Sequence, residues 1–391
     1  MPVEWAETGY AILFWISRKE MFVTDLRIEK LAELVVDYSV AVHPGDKVVI
    51  SSATPAEPLL KVIYARVLMA GGHPFMLTSL PDIDEVFFRH ASDEQVRHVP
   101  KPLELIYETY DVRISIIAES NTKSLSGVDP AKTVLQQQAR TGLMRTFMRR
   151  SAARELRWVV APFPTHALAQ DAEMGLGEYE DFVYGACLPN LRDPIGYWKR
   201  FSSRQQAVVD WLKGKREVHV KGPETDLRFS VAGRVFENCD GRFNMPDGEI
   251  FTGPVEDSME GQVYFSYPAI YHAREVNGVR LWFEKGKVVK ATADKNEDFL
   301  NKTLDTDAGS RRVGEFAIGT NEGIRRFSRE ILFDEKIGGS FHMALGAGYP
   351  ETGSKNESAI HWDMICDLRK NGEITVDGEV LYRDGKFMLK G

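Results

Sequence analysis

Three glutamates, one aspartate and two histidines in the second half of the chain have the types and settings that divalent cations require. Glu249 follows a Pro-Asp-Gly turn in NMPDGEIFTGP (residues 244–254), and Glu315 opens the short apolar run GEFAIG (314–319). Glu335 and His342 stand on either side of Gly338-Gly339 in FDEKIGGSFHMALG (333–346). His361 and Asp363 are spaced i, i+2 in HWD, so they share one face of a strand. Carboxylate oxygens and imidazole nitrogens form a hard-to-borderline donor set. Two cations about 3.5–4 Å apart need a bridging carboxylate and further carboxylates to balance their charge. The imidazoles favour zinc or cobalt, with manganese or magnesium also compatible, and the nearby glycines let backbone approach closely. Each residue also has a plainer reading. An isolated carboxylate in a β-rich region is ordinarily surface charge, Glu335 beside Lys336 reads as an exposed turn, and His361 as a hydrogen-bonded core histidine.

The elements that must position these residues fall into two textures. The spacing of Leu26, Leu31, Leu34, Val35, Tyr38 and Val42 predicts a helix from Thr24 to Val42, capped by Thr24 or Asp25. Pro44-Gly45-Asp46 breaks it ahead of a buried strand at Lys47–Ser52, and the alternation continues with a helix at 58–70 and a strand at 74–78. Further expected elements are a helical stretch at 85–91, a strand at 112–117, a basic helix between Thr133 and Leu156, and a strand at 157–161. This pattern implies a doubly wound α/β domain over residues 21–205. After Trp211 the chain reads as alternating strands with one helix at 297–304. Lys285-Gly286, Asp377-Gly378 and Asp384-Gly385 fit tight hairpins, giving a largely antiparallel β-rich domain over 206–391 that carries the metal site. Residues 1–20, with the apolar run YAILFWI (10–16), read as an extension ahead of the native start or as an ordinary N-terminal segment.

Composition narrows the function classes. At 391 residues the chain is long enough for two or three domains, and 43% hydrophobic residues suit a self-sufficient core. A net charge of −8 disfavours a general nucleic-acid binder; the run Arg140, Arg145, Arg149, Arg150, Arg154 reads first as a solvated or interface face of a helix. Cys187, Cys239 and Cys366 form no CxxC, which removes zinc-ribbon and disulfide-scaffold readings and fits a reducing cytoplasm. The α/β half has no GxGxxG or GxxxxGK[ST], and no segment approaches 18 uncharged apolar residues, so neither a nucleotide cradle nor a membrane span is expected.

The blocks NMPDGEIFTGPVEDS, GEFAIGTN, ILFDEKIGGSFHMALG and SAIHWDM resemble the signature blocks of the thermophilic aminopeptidases, dinuclear metallopeptidases that include aminopeptidases T and S. The likeness runs from about Met21 to the C-terminus and is strongest after residue 235. It implies a metal-activated exopeptidase that removes N-terminal residues from short peptides, with a metal-bridged hydroxide as attacking group. Glu249, Glu315, Glu335, His342, His361 and Asp363 match the family's metal ligands, and Tyr349 falls where the family carries an active-site tyrosine. The chain departs from the pattern in a shorter Tyr349–His361 loop and in Gly338-Gly339, which lengthens the Glu335–His342 interval. The resemblance also implies a homodimer in which a partner domain closes the site. Glu315 is expected to act as general base or as metal bridge, and Glu256 or Asp257 are candidates to capture the substrate's free α-amino group. Another dinuclear hydrolase, an amidase or phosphoesterase, could use the same ligands, as could a non-catalytic binding protein of the same fold.

Overall fold

The structure, a computed structural model, describes residues 25–272 and 274–389, so the expected N-terminal extension and Thr24 lie outside it. The first helix, Leu26–Glu33, starts where Asp25 accepts a hydrogen bond from the Arg27 N–H at 2.8 Å. The expected single helix does not continue to Val42. It widens into a π-helical turn over Leu34–Ser39, where Leu34, Val35 and Val36 are all buried. Three consecutive apolar residues exceed the one-sided stripe of a regular α-helix, and the wider turn sets all three inward.

Strands Lys47–Ala53, His73–Ser79, Val112–Ile117 and Arg157–Pro162 form a parallel four-stranded sheet. The first strand lies inside, between the second and third, so the chain reverses its direction of travel across the sheet after two strands. Val48, Ile50, Val112, Ile114, Val159 and Ala161 form its buried centre. The basic stretch is a helix from Pro130 to Ala152, and one of its arginines is structural: buried Arg150 donates to the carbonyls of Tyr107, Tyr110 and Glu155.

Helix Pro194–Leu212 leads into the second half, and the expected division at 205/206 falls inside it. Its first turns bury Trp198 and Phe201 in the core of the parallel sheet, while Val208, Val209 and Leu212 enter a second core. That second core lies between two antiparallel sheets. One has eight strands, with Glu217–Gly222, Thr225–Ser230 and Glu373–Val376 near its middle. The other has five, in the order His361–Asp367, Ser340–Gly346, Val313–Gly319, Glu249–Thr252, Glu237–Cys239. Phe229 of the larger sheet meets Phe316 of the smaller at 4.8 Å between ring centroids. The predicted hairpins are present, with left-handed backbone at both turn residues of Lys285-Gly286, Asp377-Gly378 and Asp384-Gly385, as type I′ turns require.

The halves are stitched together beside the smaller sheet. The Val160 N–H donates to the Phe243 carbonyl at 2.9 Å and the Met245 N–H to the Val160 carbonyl at 2.8 Å. Met245, Ile324, Phe333 and Ile337 of the second half enter the first core. Trp198 is fully buried and its indole N–H donates to the Cys187 carbonyl at 2.8 Å. Replacing it by alanine opens a large cavity and orphans that carbonyl, so W198A is expected to cost about 3–5 kcal/mol in urea unfolding. A loss below about 1 kcal/mol would show that this anchor is dispensable.

Candidate metal centre

The five-stranded sheet turns one face to the hydrophobic core and the other to the site. Phe316, Ile318, Phe341, Met343, Trp362 and Met364 point into the core. Strand alternation then sends Glu315, Ala317, His342, Ala344, His361 and Asp363 to the opposite face. Register brings them together: Ala344 pairs with Glu315 on one side and Asp363 on the other, and Ala317 pairs with His342. The two alanines leave the space between the functional side chains open. Glu249 joins at the next strand, opposite Gly319.

A β-bulge between Val313 and Glu315 re-aims the glutamate. Only glycine fits at the bulge, because a Cβ on Gly314 would lie 2.2 Å from the Ala347 carbonyl oxygen. Glu335 arrives differently, at the end of the one-turn helix Ile331–Asp334. Its neighbour Asp334 faces inward and accepts from the Ser328 N–H and hydroxyl at 2.7 and 2.8 Å; burial pushes that carboxyl up to about 8.

All six candidate ligands therefore meet. Ligand atoms of Glu249, Glu315 and His342 lie within 4.8 Å of one another, as do those of Glu315, His361 and Asp363, and those of Glu335, His342 and Asp363. Glu315 belongs to the first two groups. Its Oε1 faces His342 Nε2 at 3.6 Å and its Oε2 faces His361 Nε2 at 3.3 Å, the disposition of a carboxylate shared between two positions. His342 Nδ1 is 2.8 Å from the Glu335 carbonyl and His361 Nδ1 is 2.9 Å from the Ala347 carbonyl. A carbonyl only accepts, so each Nδ1 carries a hydrogen, and Nε2, turned to the carboxylates, is the nitrogen left for a metal once its own proton is displaced.

This residue set fits divalent cations. Glu249 Oε2 and Asp363 Oδ1 are buried with no hydrogen-bond partner, although imidazole nitrogens stand 3.4 and 3.5 Å away. Burial pushes the Glu249 carboxyl up to about 8. Burial also works to lower the imidazole pKa values, yet the facing carboxylates outweigh it and hold His342 up to about 10 and His361 up to about 12. The cluster thus draws in positive charge, and buried carboxylate oxygens left without a hydrogen-bond partner are what a cation satisfies.

Tyr349 lies at the rim, its ring edge-on to His361 at 5.2 Å and to Phe251 at 5.4 Å. Burial and the surrounding carboxylates of Glu315, Asp363, Glu335 and Glu249 push its phenol far up, so it stays a hydrogen-bond donor. The candidates for α-amino capture stand elsewhere. Glu256 is committed to the Arg234 guanidinium at 2.6 Å and the Lys355 N–H at 2.6 Å, which ties down the loop after Tyr349, and Asp257 is exposed. The Glu335-Lys336 pair is not an exposed turn. Lys336 is wholly buried, ion-paired to Glu335 and 3.9 Å from Glu249 Oε1. Asp247 and Cys239 also adjoin Glu249, and Asp247 accepts from the Gly241 and Gly248 N–H groups at 2.9 Å each. Sequence reading assigned none of these three to the site; the one local signal was the Pro-Asp-Gly turn that contains Asp247.

The family model for the thermophilic metalloproteases (M29) matches residues 24–387. The chain belongs to this M29 family. Aminopeptidase 2 of Geobacillus stearothermophilus is 27% identical over 408 residues, covering 93% of this chain and 98% of its own length. Aminopeptidase T of Thermus thermophilus is 26% identical over 398 residues, covering 92% and 95%. In structure, wild-type AmpT from Thermus thermophilus matches with a TM-score of 0.81 at 24% identity, over 93% of this chain and 99% of that one. A 2,5-dihydroxypyridine dioxygenase from Pseudomonas putida KT2440 shares the fold at a TM-score of 0.57 and 14% identity, over 93% and 97%. The resemblance read from the four M29-like blocks is thereby borne out. Because the fold is shared with a protein of another name, the chemistry has to be argued from the site.

The M29 site strand that carries His361 and Asp363 is anchored by Asp307. Its carboxylate accepts from the Ala359 N–H at 2.6 Å, from the Ser358 and Ser310 hydroxyls, and from the Gly309 N–H. These donors, Ala359 first, hold it at about 2 against an ordinary 3.8. A depressed folded pKa stabilises at pH above the unfolded value and is lost as pH falls through the folded one. The melting-temperature deficit of D307A is therefore expected to be full at neutral pH and to shrink between about pH 4 and 2. Calorimetric scans across that range check it; a constant deficit would contradict the anchor.

Proposed function

We propose that this M29 chain is a metal-dependent aminopeptidase that releases N-terminal amino acids from short peptides. The observation that carries the reading is the double cluster around Glu315, whose two oxygens face two different imidazoles. Glu249, Glu315 and His342 would hold one divalent cation, and Glu315, His361 and Asp363 the other. Mixed carboxylate and imidazole donors favour zinc or cobalt, with manganese or magnesium also accommodated. When bound, such a pair supplies Lewis-acid charge that polarises a carbonyl and lowers the pKa of water.

The chain's own residues do the rest. Of the two roles expected for Glu315, bridging suits its geometry, because both oxygens are engaged by ligand positions. The proton then falls to Glu335, whose carboxylate reaches the same cluster and is oriented by Lys336. The Glu335 and Ala347 carbonyls fix the imidazole rings through Nδ1–H, so neither ring can turn away. The Tyr349 phenol, kept protonated, donates a hydrogen bond to the oxyanion of the tetrahedral intermediate.

The setting and assembly are part of this proposal. Cys187, Cys239 and Cys366 are unpaired, which suits the reducing cytoplasm. Among the described residues no helix is long and apolar enough to cross a membrane. A homodimer that closes the site is supported by the family likeness and by exposed Phe75, Leu77, Leu80, Ile83 and Val86 on one side of the parallel sheet.

The deciding experiment compares a leucyl peptide with its N-acetylated twin, using chelator-stripped protein with and without cobalt or zinc. Free leucine is expected from the unblocked peptide alone, only with metal, and not from H342A. Cleavage of both peptides would make the enzyme a general amidase, and cleavage of neither would overturn the proposal. In the same assay Y349F is expected to lose about 10²–10³-fold in kcat with KM little changed, as removal of an oxyanion donor does. A KM effect alone would return Tyr349 to a packing role.

A further inference from the structure

Lys336 is aimed at the metal centre by fixed backbone. Its N–H donates to the Phe333 carbonyl at 3.0 Å, its carbonyl accepts from the Asn321 N–H at 3.1 Å, and the Gly338 N–H closes onto the Asn321 carbonyl at 3.0 Å. The glycine pair that lengthens the Glu335–His342 interval forms the end of this turn. A Cβ on Gly338 would sit 2.9 Å from the Asn321 carbonyl oxygen, and Gly339 has φ +95°. The ammonium has no exposed surface; it rests on a Glu335 carboxylate oxygen and lies 3.9 Å from Glu249 Oε1.

On the two-cation reading above, we propose that Lys336 is a built-in cation of the centre that withholds Glu335 from the ligand set and makes the two metal positions unequal. A primary ammonium has three donors and no lone pair, so it cannot be a ligand itself and competes with metal for the same oxygens. The position that uses Glu249 shares a carboxylate with the ammonium and meets its repulsion. At the position formed by Glu315, His361 and Asp363 neither carboxylate is ion-paired to the ammonium, and Asp363 feels its charge only as a weaker, more distant influence. Ions therefore load first at the His361–Asp363 position and second, more weakly, at the Glu249 position. Glu335, held by the lysine and not by metal, keeps a carboxylate free for proton transfer.

The test is a cobalt(II) titration of the chelator-stripped full chain, followed by calorimetry and visible absorption, on wild type, K336M and E335Q. Wild type is expected to bind two ions in steps at least about tenfold apart, the scale on which partners outside the ligand set tune metal affinity. K336M frees Glu335 and removes the repulsion, so its second step tightens by about tenfold or more while the first stays within about threefold. E335Q keeps two steps, because Glu335 is not a ligand, with the first within about threefold of wild type and the second weaker, because the ammonium has lost its nearest counter-ion. Two wild-type steps with an unchanged or weaker second step in K336M would overturn this inference and leave the two-cation reading standing. A wild-type chain that binds one ion or none would overturn both. Should K336M fail to fold, as read by circular dichroism, E335Q decides alone: loss of a step there would make Glu335 a ligand and end the proposal.

Discussion

Four carboxylates, those of Glu249, Glu315, Glu335 and Asp363, converge beside two imidazoles in a space from which water is largely withdrawn, and this charge must be balanced. Two unit charges 4 Å apart interact by about 4 kcal/mol at an effective dielectric constant near 20, so the carboxylates need compensating positive charge, part of which Lys336 and the imidazoles supply. The rest of the structure can be understood as the means of holding these groups against their mutual repulsion. The core face of the five-stranded sheet is packed with Phe316, Ile318, Phe341, Met343, Trp362 and Met364, and that packing fixes the opposite face, where the charges sit. The Asp307 anchor and the Arg234–Glu256 pair, which also takes the Lys355 N–H, then pin the loop that leads into the His361 strand.

The architecture assigns space as carefully as charge. Ala317 and Ala344 lie between the functional side chains on paired strands, and a larger residue at either would fill the volume that ions and substrate need. At the bulge beside Gly314, Glu315 turns its two oxygens to two different imidazoles. Bulges are costly irregularities in a ladder, and they recur beside active sites because they re-aim one side chain while leaving the sheet intact.

What the sequence disclosed follows from how local each feature is. The six ligand candidates were legible because each stands in a short block with its own glycine or turn signature, and the i, i+2 spacing of His361 and Asp363 fixes their shared face without tertiary information. The hairpins at Asp377-Gly378 and Asp384-Gly385 and the helix Glu297–Leu304 were equally local. The π-helical turn at Leu34–Ser39 was not legible, since burial of three successive apolar residues is decided by the sheet beneath them. The same holds for Glu256: nothing within its own block reveals that Arg234 and Lys355 have already claimed it.

Lys336 is the sharpest case. In a string reading Asp-Glu-Lys a lysine is expected to reach solvent, and burying one is unfavourable unless carboxylates surround it. Here the surroundings are supplied by Glu335 next door, by Glu249 on another strand and by Asp247 beyond it, none of which the local sequence can announce. Burial works to lower the ammonium's pKa, and these carboxylates more than reverse the effect, so the charge stays on the lysine. A fixed positive charge inside a metal centre cannot be exchanged, diluted or chelated away. It sets a baseline that any divalent ion must add to.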